Sequence, residues 1–347
     1  MTSSLQELGY PLGFEVEDPV SALVAPPSVR LGQAQRTLVR SISGMQKEAL
    51  VTDSVSGKTW RLVSDEGEYL DGGDVAPAPL AFMTTGMVSS FANELLALAE
   101  ERGIDVDDVT LVQDNYYTMN GSALRGTMTG GALPVELSVE VDSDAEESTL
   151  RELVETATRT SPVNGLMTSV LNSAFTLRLN GEAVPLEDGD DLGDESVEDP
   201  ASVFDDLVYD ADAQDRPIIH RTGRKTEPLP DAEEKYTSGS GSSLEADQDR
   251  VLHVRGVCTL DDEGTKTVEV KLFSPIGTVF ELRSDEPSGH GGQGRAPSAM
   301  AYVAAGLGFC FMTQIGRYAD IVNKALGSYR IVQDTHFSFG ARENGET

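Results

Sequence analysis

The chain has 347 residues, more than twice the usual size of one domain, which favours two domains or one domain with a long appendage. Its 58 acidic residues outweigh 26 basic ones for a net charge of −32, so a general basic surface for DNA, RNA or an anionic membrane is excluded. Two cysteines, Cys258 and Cys310, cannot form a disulfide framework, and four histidines without zinc-site spacing give no metal centre.

The N-terminal residues lack the basic start and apolar core of a signal peptide, and no uninterrupted run approaches the roughly 18 apolar residues of a membrane helix. A cytoplasmic protein without a membrane partner is therefore expected. Only seven of the 26 basic residues are lysine, and aspartate is abundant, a bias that suits a protein kept soluble in concentrated salt, where self-repulsion is screened.

In chain order, residues 1–28 read as an N-terminal extension and 29–184 as a first domain. Strand-like alternation at Thr59–Val63 is followed by a turn, by prolines Pro77 and Pro79 near a helix start, and by a long helix of small and apolar residues. Strands follow at Thr110–Gln113 and Pro134–Val141. Next comes an amphipathic helix at Glu146–Thr158, with Leu150, Leu153, Val154 and Ala157 on one stripe, and then a strand at Phe175–Leu179. Residues 185–249 are the most acidic and least periodic, and read as a largely disordered linker containing one apolar island, Val203–Tyr209. Residues 250–347 open with strands such as Thr267–Phe273. They continue through the Gly-rich turn Gly289–Gly294, which lacks a P-loop lysine and Rossmann spacing, into a helix at Ala299–Met312 that is apolar on every face. No nucleotide or other cofactor is expected.

The chain also repeats itself. A shift of 220 positions aligns Gly57–Ser122 with Gly277–Arg342 without a gap and gives fifteen identities in sixty-six positions. About four are expected by chance at roughly 6% per position. The matches cluster at Ser64-Asp65-Glu66 with Ser284-Asp285-Glu286, Ala76-Pro77 with Ala296-Pro297, Gly86 with Gly306, Phe91 with Phe311, and Val112-Gln113-Asp114 with Val332-Gln333-Asp334. The last string either fixes a turn or lines a cleft. Two copies of one fold are expected, the second lacking a counterpart for most of 123–184.

Along Ala296-Pro297-Ser298 through Gly306-Leu307-Gly308-Phe309-Cys310, the sequence resembles the OsmC/Ohr family of osmotically inducible and organic hydroperoxide resistance proteins. The family helix opens with Ala-Pro-Ser-Pro and reaches a small-residue turn before its reactive cysteine, a spacing that Cys310 matches. A second family cysteine precedes Pro-Val, where this chain has Ser161-Pro162-Val163. The resemblance spans roughly 29–184 and 251–342. It implies an α+β fold in which antiparallel strands wrap two central helices, as an intramolecular pseudo-dimer of tandem copies or as a homodimer. It further implies thiol-dependent reduction of organic hydroperoxides, with a hydroperoxide and a thiol reductant as small-molecule partners.

Under that resemblance Cys310 is the nucleophile of the second copy. Ser90 and Ser161 stand at degenerate positions of the first, since a hydroxyl does not cycle through sulfenic acid. Arg295, before the helix, and Arg317, seven residues beyond Cys310 on its helix face, are the local cations for lowering the thiol pKa. The family's acidic residue near the helix start falls at Met300 or Ala301. Cys310 also has a structural reading as a small buried hydrophobe between Phe309 and Phe311. Cys258 reads as an inert strand residue or a resolving thiol, and His290 as a turn residue or part of a pocket mouth. The alternative function is a redox-inactive OsmC-like protein that binds a small apolar ligand or serves as an assembly scaffold.

Overall fold

The computed structural model describes residues 4–17, 25–30, 32–169, 171–187, 189–193, 201–205, 207–210, 217–230 and 242–339. A short helix α1 (Leu5–Leu8) precedes strands β1 (Gly13–Glu15), β2 (Gln33–Ser41), β3 (Lys47–Asp53) and β4 (Thr59–Ser64). Helix α2 (Pro79–Arg102) leads to β5 (Asp107–Ser122), β6 (Thr129–Ala132) and β7 (Glu136–Asp142), and then to α3 (Glu147–Thr160) and α4 (Pro162–Thr168). Short strands β8 (Ala174–Phe175), β9 (Leu177–Leu179), β10 (Glu182–Val184) and β11 (Asp190–Asp191) come next. The chain then enters β12 (Ile219–Lys225), β13 (Asp247–Leu260), β14 (Lys266–Ser274), β15 (Thr278–Ser284), α5 (Ala299–Ile321) and β16 (Arg330–Phe337).

At the centre α2 packs against α5. Helix α2 has proline at its first turn and ends at Gly103 in the left-handed region, which only glycine enters without steric cost. Helix α5 starts at Ser298, whose hydroxyl accepts the Ala301 N–H at 3.2 Å. The two axes approach closely because both crossing residues are glycine. A Cβ on Gly86 would lie 2.6 Å from the Ala299 carbonyl oxygen, and one on Gly306 would lie 2.8 Å from the Met83 nitrogen. Helix α5 has 23 residues rather than the fourteen read from its apolar run. By length and composition it could cross a membrane, but 67% of its most apolar stretch is buried within this fold, as in a core helix.

The aligned segments hold equivalent elements: β4 and β15, α2 and α5, β5 and β16. Their strands are exchanged. One sheet runs β1-β4-β3-β2-β16, so the N-terminal hairpins take their last neighbour from the C-terminal end of the chain. The other runs β12-β15-β14-β13-β5-β6, with β7 also on β5. The β13–β5 seam comprises thirteen paired positions and the β16–β2 seam eight. A boundary between 184 and 250 therefore does not separate two bodies, contrary to the division into a first domain over 29–184 and a second over 250–347.

The Val-Gln-Asp string fixes neither a turn nor a cleft. Asp114 lies opposite Arg255 and Asp334 opposite Arg36, and each pair makes a two-pronged ion pair across an exchange seam. Burial opposes the charge of Asp114, but hydrogen bonds from His253 and Arg255 outweigh it and hold the carboxyl below its usual pKa.

The segment expected as a disordered linker is partly built into the fold, which corrects the sequence expectation. Strand β12 extends the larger sheet by pairing with β15, and Val203, Phe204 and Leu207 are buried with Phe14, Leu38 and Leu50. An acidic average over the segment conceals these few apolar side chains, whose burial on the outer face of the smaller sheet is favourable. Residues 188, 194–200, 206, 211–216 and 231–241 of that segment lie outside the described residues. The N-terminal extension likewise contributes β1, paired with β4.

Two substitutions test this architecture by urea unfolding. Gly86→Ala is expected to cost about 1–3 kcal/mol, because the added methyl meets backbone that cannot yield without parting the helices. Asp114→Asn is expected to cost about 2 kcal/mol at neutral pH, the order of a hydrogen-bonded charged group. Because the folded Asp114 pKa is depressed, that contribution is present above the unfolded carboxylate value, about 3.9, and is lost as pH falls through the folded value. The two proteins should therefore converge in stability in acid.

Candidate active site

The two repeated Ser-Asp-Glu strings build matching turns. Asp65 accepts the backbone N–H groups of Glu66, Gly73 and Val75, and Asp285 accepts those of Gln293 and Arg295. With its aspartate holding the turn, each glutamate is free to reach a central helix of the other half. Glu66 accepts from the Thr313 hydroxyl on α5 at 2.6 Å, and Glu286 accepts from the Asn93 amide on α2 at 2.7 Å. A buried lysine stands at matched register in each hairpin, Lys47 opposite Ser64 and Lys266 opposite Ser284. Lys47 donates to the Met45 carbonyl at 2.7 Å and to Glu66 at 3.5 Å, while Lys266 donates to Asn93.

Cys310 sits one turn before Thr313 and is half-buried. Burial and then the Glu66 carboxylate together push its thiol up to a pKa of about 12, against the opposing Lys47 ammonium. Tyr69 donates its hydroxyl to Glu66 at 2.6 Å, and burial together with that carboxylate holds its own pKa well above the usual value. Phe175 of β8 packs on Phe311, with ring centroids 5.9 Å apart. At rest the thiol is protonated.

The structure does not bring the predicted arginines to Cys310. Arg295 pairs with Glu263 and Asp285 before the start of α5, and Cys310 lies eleven residues into that helix, roughly 16 Å along its axis. Arg317 lies two turns beyond the thiol. Its guanidinium donates to the Ser243 carbonyl at 2.6 Å and faces the sulfurs of Met119 and Met128. Burial lowers its pKa. Shared helix phase did not suffice, because the long side chain turned towards the carbonyl acceptor. The cation near the thiol is Lys47, which sequence reasoning missed.

In the matching position on α2, Ser90 and Ser161 are both buried and share a hydrogen bond of 2.7 Å. The structure thus joins the two residues named as degenerate positions. Cys258 is fully buried on β13, its thiol pushed up to about 12 by burial and moderated by Lys266, so it belongs with the other lysine rather than with the Cys310 cluster. His290 is exposed at the rim of a cavity beside Ser90. Met300 and Ala301, where a carboxylate was sought, are buried core residues. The carboxylates come instead from Glu66 and Glu286, whose signal was the repeated Ser-Asp-Glu string. Among the described residues no group of three or more His, Cys, Asp or Glu side chains could hold a metal ion.

Residues 71–173, under a third of the chain, match the family model described as OsmC-like protein. The likeness read from the sequence holds over this stretch, which carries α2, Ser90 and Ser161. Among solved structures, an OsmC-like hydroperoxide resistance protein from Jannaschia sp. CCS1 aligns at 16% identity, covering 45% of this chain and 99% of that one, with a TM-score of 0.29. No curated protein matches the sequence.

The protonation state of Cys310 is testable by its alkylation with iodoacetamide. The rate is expected to rise about tenfold per pH unit between pH 7 and 10 with no plateau, because only the thiolate reacts. Glu66→Gln should shift the whole profile to lower pH. A plateau beginning near the ordinary thiol value, about 8.5, would contradict the assignment.

Proposed function

We propose that this OsmC-like chain reduces organic hydroperoxides at a single redox cysteine, Cys310, and that it is two interlocked copies of one fold forming a pseudo-dimer within one chain. The strand exchange and the gapless correspondence of elements support the second part. The observation that carries the first is the Lys47–Glu66–Tyr69–Thr313 cluster, which places a carboxylate and an ammonium within electrostatic reach of a half-buried thiol. In the Ser90 half the matching helix position is a serine bonded to Ser161, whose hydroxyl does not cycle through sulfenic acid, so that half is redox-silent.

Because the thiol rests protonated, Glu66 acts as the base at the moment of attack. The sulfur bonds to one peroxide oxygen as the O–O bond breaks, and the thiol proton passes to Glu66. The departing alkoxide takes up a proton from the cluster and leaves as the alcohol. The enzyme thiol is oxidised to sulfenic acid and the peroxide is reduced. One external thiol then displaces water to form a mixed disulfide, and a second thiol releases the enzyme thiol and a small-molecule disulfide. An external dithiol suits this cycle, since Cys258 is sealed in the core.

Consumption of cumene hydroperoxide with a dithiol reductant tests the proposal. Wild type and Cys258→Ser should turn over equally, whereas Cys310→Ser should lose at least about a hundredfold, the scale of removing a nucleophile. Glu66→Gln should alkylate faster yet reduce peroxide more slowly, opposite changes that a merely structural glutamate would not produce. Equal consumption by wild type and Cys310→Ser would end the proposal.

A further inference from the structure

The repeat shows what one half lacks. Phe91, Leu95 and Leu98 lie on one line of α2 and are buried beneath α3 and α4, whose Leu153, Ala157 and Val163 join the same core. Their counterparts at a shift of 220 positions are Phe311, Ile315 and Tyr318 of α5. These keep the same spacing of four and three residues, which holds them to one helix face, but they are 47%, 41% and 57% exposed. Among the described residues no helix equivalent to α3 covers them, and α5 packs chiefly on α2, β2, β3 and β16.

The uncovered face is apolar and uncharged. From Ala299 to Gly316 helix α5 carries no charged residue, and Phe175 of β8, itself 39% exposed, widens the patch by packing on Phe311. At about 200 Å² for a whole side chain of this size, the exposed parts of Phe311, Ile315, Tyr318 and Phe175 amount to roughly 370 Å². A standard protein–protein interface buries about 800 Å² on each partner, somewhat more than half of it apolar. This one patch therefore supplies most of the apolar area that a stable dimer needs. The net charge of −32 holds identical molecules apart, but the patch adds no charge of its own to that repulsion.

We infer that this face of α5 is the interface of a homodimer, in which two copies of the chain pack their α5 helices antiparallel about a twofold axis. The spacing is self-complementary. With Ile315 at the axis, Phe311 of one copy meets Tyr318 of the other, and the reverse contact follows by symmetry. Cys310 lies about a quarter turn round α5 from this line, at roughly 100° per residue, so the contact borders the thiol without using it. The inference stands whether or not that thiol turns over peroxide. Because like charge opposes the approach, screening governs the affinity: the Debye length falls from about 10 Å in 0.1 M salt to about 3 Å in 1 M.

Sedimentation equilibrium of the full chain tests this. The dimer should form at micromolar concentration in about 2 M KCl, and its dissociation constant should be at least about tenfold higher in about 0.05 M KCl. Ile315→Glu should weaken the high-salt dimer at least about tenfold. Val208→Glu, at a residue 56% exposed beside the outer face of the smaller sheet, should leave it unchanged. In a Cys310→Ser background, Ile315→Cys should be cross-linked to a dimer by bismaleimidoethane, and the parent without that substitution should not. The salt response of wild type needs no variant to fold. A wild-type monomer at both salt concentrations would overturn the inference, as would a dimer that Ile315→Glu leaves intact. So would a monomer whose α5 face instead binds phosphatidylcholine vesicles or a peptide of the α3 sequence.

Discussion

The structure depends on the exchange of strands across its two seams. Neither hairpin set pairs with the strand that follows its own helix, since β2 takes β16 and β13 takes β5. Backbone bonding makes the seams continuous with the sheets, while the Arg255–Asp114 and Arg36–Asp334 pairs fix which residue faces which. A slip of one position would put every inward side chain on the wrong face and part each carboxylate from its guanidinium. The helices between the sheets can then bury small and apolar side chains along most of their length, and the two glycines at their crossing let them pack at close range.

That scaffold presents two versions of one site. Each has a buried lysine at the same register, an Asp-organised turn and a glutamate reaching the opposite helix. What differs is the helix residue, Cys310 or Ser90, the donor to the glutamate, Thr313 or Asn93, and the filling, Tyr69 or Gly289. On one side sulfur lies beside a phenol-plugged carboxylate. On the other a hydroxyl is locked to Ser161, and the vacated space is lined by two glutamates. The same framework therefore supports two environments, in which small changes of side chain separate a thiol beside a filled pocket from a serine pair beside an open one.

Much of this was legible in the sequence. Amphipathic spacing marked α3, whose Leu153 and Ala157 are indeed buried, and the unbroken apolar run marked α5 as central. The shift of 220 positions matched the elements correctly and brought Ser90 into register with Cys310. What periodicity could not show was pairing between halves, which is decided by contacts far apart in the chain. The site suffered for the same reason. Arg295 and Arg317 are near Cys310 only along the chain, whereas Lys47 and Glu66 reach α5 from more than two hundred residues away. The repeated glutamate was visible as a string but carried no sign of its target, and acidic composition masked the buried Val203–Phe204–Leu207 patch.

The crossing of Glu66 to Thr313 has a consequence for how such a chain can change over generations. Copies of a duplicated gene segment ordinarily drift apart, one retaining the old task while the other wanders. Here Glu66 reaches Thr313 of α5 and Glu286 reaches Asn93 of α2, so a change in the N-terminal stretch is felt beside the thiol in the C-terminal one. The two stretches are therefore coupled, and a substitution at Glu66 in one reaches the surroundings of Cys310 in the other.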